Sequence, residues 1–386
     1  MGEQIVSNFM QDIIKEHNFV GYDVKIEPVS SGGANYSSTL YNVTLTNGND
    51  VVHMFAKVAA ASEKMRSQGA DYGVEKFAYT ELAKIYDRLQ EEHNVPEEHR
   101  LIFTKCYGCK PDLYEETIIM ENLAEKGYQS FDRFKSFDWE YAKSAVGELA
   151  KMHGLSFAYS VYHPEEFNKI IDSFKSFWDP GNEDMKTLFD SSVKKSVNNI
   201  NKENKERFVK FLDSFDYTNF VEYYKRPAKP VLGHCDFRPS NLMHKIRENG
   251  SVDIKILDLQ TLQGISPIVD LLYFIFTGSD ETFRANYYDK LLEHYYTELE
   301  DVLKRLRLNP NDVYTRTDFY SELKSKLPFG LLIAVFGLQI ITVDVEDAPK
   351  VNKDLDLTSL YVEKTNDLYL ERLNGVVNDY VKFGVI

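Results

Sequence analysis

Apolar residues at the start of the chain recur at the spacing of one helical face. Between residues 4 and 17 this pattern predicts an amphipathic helix. Its apolar positions are Ile5, Val6, Phe9, Met10, Ile13 and Ile14. From Tyr22 to Val58 the apolar residues fall instead in short β-rich runs. These runs are separated by Ser30-Ser31-Gly32-Gly33 and by Asn47-Gly48, and the second break is typical of a hairpin turn.

A second helix and two further strands complete the first part of the chain. A helical pattern covers about 72–92, and strand-like runs follow at Leu101–Cys106 and Thr117–Met120. The first 120 residues therefore predict a five-stranded antiparallel sheet with one helix inserted into it.

Helical periodicity dominates after Leu123. The predicted helices cover residues 138–160, 204–214, 283–306, 320–342 and 356–380. The strand-like segments of this part are short and lie near 231–234, 242–244 and 253–257. The stretch 180–206 is rich in Asn, Lys and Asp and predicts an exposed connection. We expect an α+β chain with two domains, a small β-rich lobe over residues 1–122 and a larger, mainly helical lobe over residues 123–386.

Composition narrows the classes of protein that remain. The 386 residues are 43% hydrophobic and 27% charged, a globular balance that excludes an intrinsically disordered chain. Lys and Arg number 45 against 60 Asp and Glu, which gives a net charge of −15. Such an acidic surface repels phosphate backbones and anionic bilayers, so we expect neither a nucleic-acid partner nor a membrane surface. Nothing in the sequence indicates an obligate protein partner.

Cysteine content and apolar segments indicate the cellular compartment of the protein. Cys106, Cys109 and Cys235 are too few for a disulfide framework in a chain of this length, which favours a reducing compartment. The first residues lack the basic patch and apolar core of a signal peptide. The most apolar stretch, Phe329–Thr342, is short and broken by glycines, so it predicts a buried core helix. We therefore expect a cytoplasmic protein.

The pair Cys106-x-x-Cys109 could suggest a metal or redox site. The chain has no second cysteine pair, and its nine histidines are scattered. We therefore interpret the pair as a hairpin turn with free thiols between two strands.

The strongest chemical signal is a polar loop followed by an aspartate at the end of an apolar run. The two segments are His234-Cys235-Asp236-Phe237-Arg238-Pro239-Ser240-Asn241-Leu242 and Ile256-Leu257-Asp258-Leu259-Gln260. Asp236 and Asn241 on one loop, with Asp258 after the strand, supply a base and two oxygen ligands. Magnesium prefers few carboxylates together with phosphate oxygens, which this set offers. Each residue alone could belong to a polar surface loop, but the joint pattern favours a catalytic site.

The β-rich lobe supplies a matching ion pair. Lys57 ends a strand-like run, and Glu75 lies on the following helix on the same face as Tyr79, Leu82 and Tyr86. A carboxylate on the apolar face of a helix is costly without a partner. Lys57 is the candidate partner, and the pair would direct its ammonium towards nucleotide phosphates. The alternative is an exposed lysine and a glutamate at the edge of the face.

Two further segments of this lobe are candidates for nucleotide contacts. Small residues between the first two strands would let backbone amides approach phosphate. The candidates there are Gly33, Asn35, Tyr36, Ser37 and Ser38. At the end of the lobe, Met120 precedes Glu121 and Leu123, whose backbone groups could pair with an adenine edge.

Several blocks of this sequence together resemble a known family. They are Gly33-x-Asn35-Tyr36-x-Ser38, Glu75-x-x-x-Tyr79, Leu149-Ala150-x-x-His153-x-x-Ser156, Leu257-Asp258-x-Gln260 and Ser266-Pro267-x-x-Asp270-Leu271-Leu272-Tyr273-Phe274. The set is similar to the ecdysteroid kinase-like family, a small-molecule branch of the protein-kinase-like superfamily related to choline kinases and aminoglycoside phosphotransferases. The match covers roughly residues 25–345. It implies a bilobal protein-kinase-like fold that uses ATP and Mg²⁺.

The resemblance also implies roles for individual residues. Asp236 would take the proton of the attacking hydroxyl, and Arg238 would stabilise the γ-phosphoryl group. Asn241 and Asp258 would hold Mg²⁺ on the nucleotide. The family usually has glycine where this chain has Cys235, and phenylalanine where it has Leu259. A thiol beside Asp236 predicts sensitivity to alkylation.

Two neighbours of these residues have alternative interpretations. His234 fits a residue that orders the loop by hydrogen bonds better than it fits a base. Asp270 follows Asp258 by 12 positions and is interpreted as a helix cap or a loop anchor.

The acceptor is expected to be a small molecule. Only 11 residues separate Asp258 from Asp270, too few for the activation loop and peptide platform of a protein kinase. The resemblance implies an ecdysteroid acceptor, with the 22-hydroxyl as the expected position, for hormone storage or inactivation. Alternatives are a kinase for choline, ethanolamine or a glycosylated xenobiotic, and a silent protein that binds a steroid or nucleotide. We expect the acceptor pocket near Phe329–Ile341 and the helix 138–160.

Overall fold

A five-stranded antiparallel sheet forms the first part of the chain. The computed structural model describes residues 2–30, 38–60, 63, 66, 72–176, 178–349 and 357–386. Helix α1 (Gly2–Glu16) precedes three strands, β1 (Asp23–Val29), β2 (Ser38–Asn47) and β3 (Asp50–Ala59). Strands β2 and β3 form a hairpin in which Asn47 pairs with Asp50, and Gly48 has the positive φ that this tight turn requires.

One long helical segment separates β3 from the last two strands of the sheet. Segment α2 consists of an α-helix (Tyr72–Phe77), a π-helical turn (Ala78–Leu82) and a second α-helix (Ala83–Glu92). Strands β4 (Cys106–Lys110) and β5 (Thr117–Glu121) follow, and the strand order is β1-β2-β3-β5-β4. The predicted five-stranded antiparallel sheet with one inserted helix is confirmed.

Strand alternation sends neighbouring residues of β3 to opposite faces of the sheet. Met54, Ala56 and Val58 pack with the apolar face of α1 in one small core. Lys57 therefore faces the other side of the sheet, where α2 packs and joins the main core of the protein. This alternation decides which residues of the sheet can reach α2 and the second part of the chain.

The rest of the chain is mainly helical. Its helices are α3 (Trp139–Tyr162), α4 (Pro164–Ser173), α5 (Glu183–Asn199), α6 (Lys202–Leu212), α7 (Tyr217–Glu222), α8 (Pro267–Gly278), α9 (Glu281–Arg305), α10 (Pro310–Val313), α11 (Arg316–Ile341) and α12 (Asp367–Lys382). Its short strands are β6 (Gln129–Ser130), β7 (Val231–Gly233), β8 (Leu242–Ile246), β9 (Val252–Ile256) and β10 (Gln263–Ile265). Strand β7 pairs with β10, and β8 lies between β6 and β9. The expected α+β class with a β-rich first part and a helical second part is confirmed, while the boundary near residue 122 stays a prediction.

The prediction of a strand at Leu101–Cys106 was wrong, because β4 begins only at Cys106. The side chain of Gln90 donates to the carbonyl of Leu101 and accepts from its amide, so these backbone groups are satisfied without a strand partner. The interpretation of Cys106 to Cys109 as a hairpin turn was also wrong. Both residues lie in β4, where the pairing with β5 shifts between Cys106 and Gly108.

The prediction of an exposed connection over residues 180–206 was wrong as well. Helix α5 fills most of this stretch, with the side chain of Asn182 accepting from the amide of Met185 as its N-cap. Its buried residues recur at helical spacing and are Met185, Leu188, Phe189, Ser192 and Ser196. The polar composition of the stretch belongs to the outer face of an amphipathic helix. The last helix, α12, also begins later than the predicted residue 356.

Helix α11 contains the most apolar segment of the chain. It is the one helix, within the described residues, that is long and apolar enough to cross a membrane, and 67% of its most apolar window is buried inside the protein. It packs along α8 and α12. This burial is as predicted for a core helix.

Candidate active site

Lys57 joins two carboxylates from distant parts of the chain. Its ammonium donates to Glu75 Oε2 at 2.8 Å and also forms an ion pair with Asp258. Burial by itself lowers the pKa of Lys57, but the charges of Asp258 and Glu75 outweigh it and raise that pKa above its ordinary value. Lys57 is therefore held as a buried cation. The Lys57–Glu75 pair, predicted from the sequence, is formed.

The four residues predicted on one face of α2, from Glu75 to Tyr86, are all buried. The π-helical turn lies between these two ends of the face, and such turns are frequent at functional sites. Burial raises the pKa of Glu75, whereas the neighbouring Lys57 opposes this rise.

Asp258 reaches Lys57 because the chain turns sharply after β9. Asp258 has φ 60° and ψ 55°, a left-handed conformation that is unfavourable for a residue with a side chain. Burial tends to raise the pKa of Asp258, but Lys57 and Arg238 lower it overall, so the carboxyl is ionised. Strained backbone conformations of this kind cluster at functional sites.

Asp236 is held by two polar side chains of its own loop. Arg238 Nε lies 3.1 Å from Oδ1 and 3.2 Å from Oδ2 of Asp236. Asn241 Nδ2 donates to Asp236 Oδ2 at 2.7 Å and to the Asp236 carbonyl at 2.9 Å. These contacts fix the direction of the carboxylate, as a base for an incoming hydroxyl requires.

Asn241 and Asp258 lie at the same end of the β8–β9 hairpin. Leu242 pairs with Ile256, and the amide of Leu257 donates to the Asn241 carbonyl at 3.0 Å. The pair offers one carboxylate and one amide oxygen, both of which suit Mg²⁺. In the described part of the chain no three His, Cys, Asp or Glu residues come together as a metal cluster. The residues thus fit an ion that takes its other ligands from phosphates and water.

Asp270 anchors the loop that carries Asp236. Its carboxylate accepts from the backbone amides of His234 and Cys235, each at 2.7 Å. The cap of α8 is instead Ser266, whose side chain accepts from the amide of Ile268. Of the two interpretations given for Asp270, a helix cap or a loop anchor, the structure supports the loop anchor.

The ring nitrogens of His234 contact backbone groups on both sides. One ring nitrogen lies 2.8 Å from the carbonyl of Leu257, and the other is 3.3 Å from the amide of Asp236. These contacts match the interpretation that His234 orders the loop.

Helix α3 contacts both Asp270 and strand β7, which precedes the same loop. His153 Nε2 lies 3.1 Å from Asp270 Oδ2, and its Nδ1 is 2.7 Å from the hydroxyl of Tyr295. Ser156 Oγ accepts from the amide of Leu232 in β7 at 2.6 Å. His153 and Ser156 are absent from the predicted site residues, although their block with Leu149 and Ala150 was a signal that could have found them.

Cys235 occupies the position that departs from the family pattern. Its φ is 64°, so the chain needs a left-handed residue here, which glycine adopts without strain. The thiol is buried, burial raises its pKa, and it lies 3.7 Å from the Gly233 carbonyl. The predicted sensitivity to alkylation beside Asp236 is therefore not supported at this residue.

The other predicted nucleotide contacts are partly described. Gly33, Asn35, Tyr36 and Ser37 lie outside the described residues. Ser38 is buried at the start of β2, with its hydroxyl 3.1 Å from that of Tyr72.

The segment from Met120 to Leu123 ends β5 beside β3. The amide of Glu121 donates to the Lys105 carbonyl at 2.9 Å, so only its carbonyl could serve a nucleobase. The carbonyl of Leu123 accepts from the amides of Lys126 and Tyr128, which leaves its amide as the group that could do so.

A cavity of about 700 Å³ opens beside the catalytic loop. Its walls come from residues 171–172, 174–176, 178–182, 221, 224–226 and 263–264, together with Arg66. The expected pocket lining at Phe329–Ile341 is not found in this cavity. That segment is core, although two of its rings pack edge-on against lining residues: Phe336 against Trp178 at 5.6 Å and Phe329 against Tyr224 at 5.4 Å.

A family model and several solved structures are similar to this chain. The model of the ecdysteroid kinase-like family matches residues 32–308, more than half of the chain. No relative was found among the curated proteins at a significant level. Several solved structures are similar, and two of them serve as examples. The GDP and kanamycin complex of APH(2")-IIia has 12% identity and a TM-score of 0.40, covering 84% of this chain and 98% of that one. Glucosamine kinase with glucosamine, ADP and inorganic phosphate has 10% identity and a TM-score of 0.41, covering 95% of this chain and 83% of that one.

Proposed function

The chain belongs to the ecdysteroid kinase-like family, a family of kinase-like small-molecule phosphotransferases, and we propose that it transfers the γ-phosphoryl group of ATP to the 22-hydroxyl of an ecdysteroid. The observation that carries the kinase activity is the convergence of Lys57, Glu75 and Asp258 beside the oriented Asp236. Phosphoryl transfer depends mainly on positioning and on neutralising charge, and this arrangement supplies both.

Asp236 acts as the base in this proposal. Its carboxylate accepts the proton of the acceptor hydroxyl while the hydroxyl oxygen forms a bond to the γ-phosphorus. The bond between that phosphorus and the bridging oxygen of ADP breaks, and the products are a phosphate ester and ADP. Arg238, which lies against Asp236, stabilises the charge of the transferred group.

Lys57, Asn241 and Asp258 bind the nucleotide end of the reaction. Lys57 is cationic and pairs with phosphate oxygens, while Glu75 fixes its direction. Asn241 donates to Asp236 through its nitrogen, so its oxygen is the atom able to bind a cation. Mg²⁺, held by Asn241 and Asp258, would neutralise phosphate charge when it is bound.

The biological role follows from the product. A neutral steroid becomes a dianion, which is more soluble in water and does not fit a receptor for the neutral hormone. We propose storage or inactivation of the hormone. The three free thiols support a reducing compartment, and we place the protein in the cytoplasm.

The test is transfer of a labelled γ-phosphate from Mg-ATP to a panel of ecdysone, 20-hydroxyecdysone, choline, ethanolamine and a glucoside. Products would be identified by mass and by NMR. A steroid phosphate on the 22-oxygen is the expected result. Transfer only to choline or a glucoside would keep the kinase and remove the hormone role. Binding of ATP or steroid without any transfer would favour the silent binding protein.

A further inference from the structure

We propose that the 700 Å³ cavity is the acceptor site and that it takes a neutral, rigid polyol with an apolar body, held by Tyr224 and Asn182. This inference rests on the proposed function and assigns its acceptor site. The cavity has the volume typical of small-molecule sites.

One wall of the cavity lies next to the loop that carries Asp236, the proposed base. Gln263 and Gly264 line it from β10, where Gln263 pairs with Gly233, three residues before Asp236. Gln263 also contacts the thiol of Cys235. An acceptor in this cavity would therefore lie next to the loop that carries Asp236.

Glycine at position 264 lets this wall form. A Cβ there would lie 2.6 Å from Ile171 Cγ2, closer than real contacts allow. The missing side chain lets the end of α4 pack directly against β10. The two elements thereby enclose one side of the cavity.

Apolar and aromatic side chains cover much of the interior. Trp178 stacks on Tyr224 with ring centres 4.6 Å apart and planes at 18°. Phe174, another lining residue, packs edge-on against Phe77 of α2, with ring centres 5.4 Å apart. Flat, supported rings suit the rigid face of a fused-ring molecule better than a flexible chain.

The buried polar atoms of the lining that lack a partner among the described residues include the hydroxyl of Tyr224 and the side-chain nitrogen of Asn182. The two residues are only 3% and 8% exposed. Burial raises the pKa of Tyr224 well above its ordinary value, with nearby charges including Asp236 adding to the rise, so the phenol stays a donor. Hydroxyl oxygens of a polyol would accept from both groups.

The charge around the cavity argues for a neutral acceptor. The lining carries four cations, Arg66, Lys175, Lys225 and Arg226, against Asp172 and Asp179. Arg226 pairs with Asp172 at 2.7 Å. Arg66 pairs with Glu116, and Lys225 pairs with Glu222. Three of the four cations are thus already compensated, and a lining with so little free charge favours a neutral acceptor.

Direct binding tests the site without the chemistry. The chain has two tryptophans, so a Trp139→Phe variant leaves Trp178 as the only one. We expect 20-hydroxyecdysone, added without nucleotide or metal, to cause a saturable change in Trp178 fluorescence. The signal reports the cavity itself and requires no turnover.

Two variants and one control test the polar contacts. Tyr224→Phe removes the hydroxyl, and Asn182→Asp removes Nδ2 while keeping the Oδ1 that caps α5. Each should weaken steroid binding and raise the steroid KM about tenfold, with the KM for ATP unchanged. Tyr223→Phe is the matched control, since Tyr223 packs on Phe329 outside the cavity and should change neither.

The outcomes separate this site from the proposed function. Steroid phosphorylation with unchanged steroid KM in both variants and no Trp178 signal would overturn the site and leave the function standing. A Trp178 signal that both variants weaken, without phosphate transfer, would support the site and overturn the kinase. If steroid causes no Trp178 signal and no phosphate is transferred, the proposed acceptor site is wrong.

Discussion

The carboxylate of Asp270 accepts a hydrogen bond from the backbone amide of Cys235 at 2.7 Å, and the same carboxylate accepts from the amide of His234. A fully buried anion thus fixes the two peptide units directly before Asp236. His153 of α3 in turn contacts this anion. The position of Asp236, the proposed base, therefore depends on a residue 34 positions later in the chain.

Asp270→Asn should lower kcat by more than its loss of folding stability alone would explain. The amide can accept from one of the two backbone amides but presents its own donor to the other. We expect the free energy of unfolding to fall by about 2–3 kcal/mol and kcat to fall about 100-fold, because the loop loses its position. Denaturant unfolding and steady-state kinetics measure the two effects.

Asp280→Asn is the matched control for Asp270. The Asp280 side chain caps α9 by accepting from the amide of Phe283, away from the catalytic loop. It should cost up to about 1 kcal/mol of stability and leave kcat unchanged. An Asp270→Asn protein with the wild-type kcat would show that the anchor does not position the base.

Asp236→Asn should remove the base while keeping the shape of the loop. General-base catalysis typically contributes a factor of about 10²–10⁴, so we expect kcat to fall by at least about 100-fold. Asp253→Asn, which breaks a surface pair with Arg247, is the control and should leave turnover intact. If Asp236→Asn keeps turnover within about tenfold, the base is a different residue.

Lys57→Met should affect both nucleotide use and stability. Without the ammonium, the fully buried carboxylate of Glu75 loses its counter-charge, which costs about 3–5 kcal/mol. We expect weaker use of ATP, measured as kcat/KM, and a lower midpoint in denaturant. Steroid binding by the folded protein should remain, and equal loss of ATP and steroid binding would indicate misfolding instead.

The backbone at Cys235 should tolerate glycine better than a β-branched residue. Cys235→Gly relieves the strain of the left-handed conformation but loses a small buried side chain, so stability should stay within about 1 kcal/mol of wild type. Cys235→Val should be less stable than Cys235→Gly by about 1–3 kcal/mol. Denaturant unfolding of the two variants measures this difference. A Cys235→Val protein more stable than Cys235→Gly would contradict the role of the positive φ.

The three thiols should react in two groups. Cys106 and Cys109 are half-buried, with sulfurs 3.5 Å apart, and the contact between them lowers the pKa of Cys106 and raises the pKa of Cys109. Cys235 is buried and its pKa is raised. A disulfide reagent should therefore modify two thiols in the native protein and the third only after unfolding. Cys235→Gly should lose only the slow thiol, and rapid reaction at Cys235 would contradict its burial.

Local patterns were good predictors wherever one element determines its own contacts. The amphipathic face of α1, the hairpin at Asn47-Gly48 and the buried face of α2 depend on residues within a few turns or strand positions. The same reasoning was wrong for residues 180–206, because polar composition outweighed the weaker apolar spacing of α5. It was also wrong for Leu101, whose backbone is satisfied by the side chain of Gln90.

The sequence by itself determined most of the elements, the polar loop around Asp236 and the ion pair of Lys57 with Glu75, because these follow from periodicity and from the cost of an unpaired charge. Only the tertiary structure decided that Lys57 also meets Asp258, 201 positions away, and that Asp270 holds the loop. It likewise decided where the cavity lies, since its walls come from separate segments that no periodicity links. Contacts between distant segments depend on how the elements pack, and packing is a property of the whole chain rather than of any local pattern.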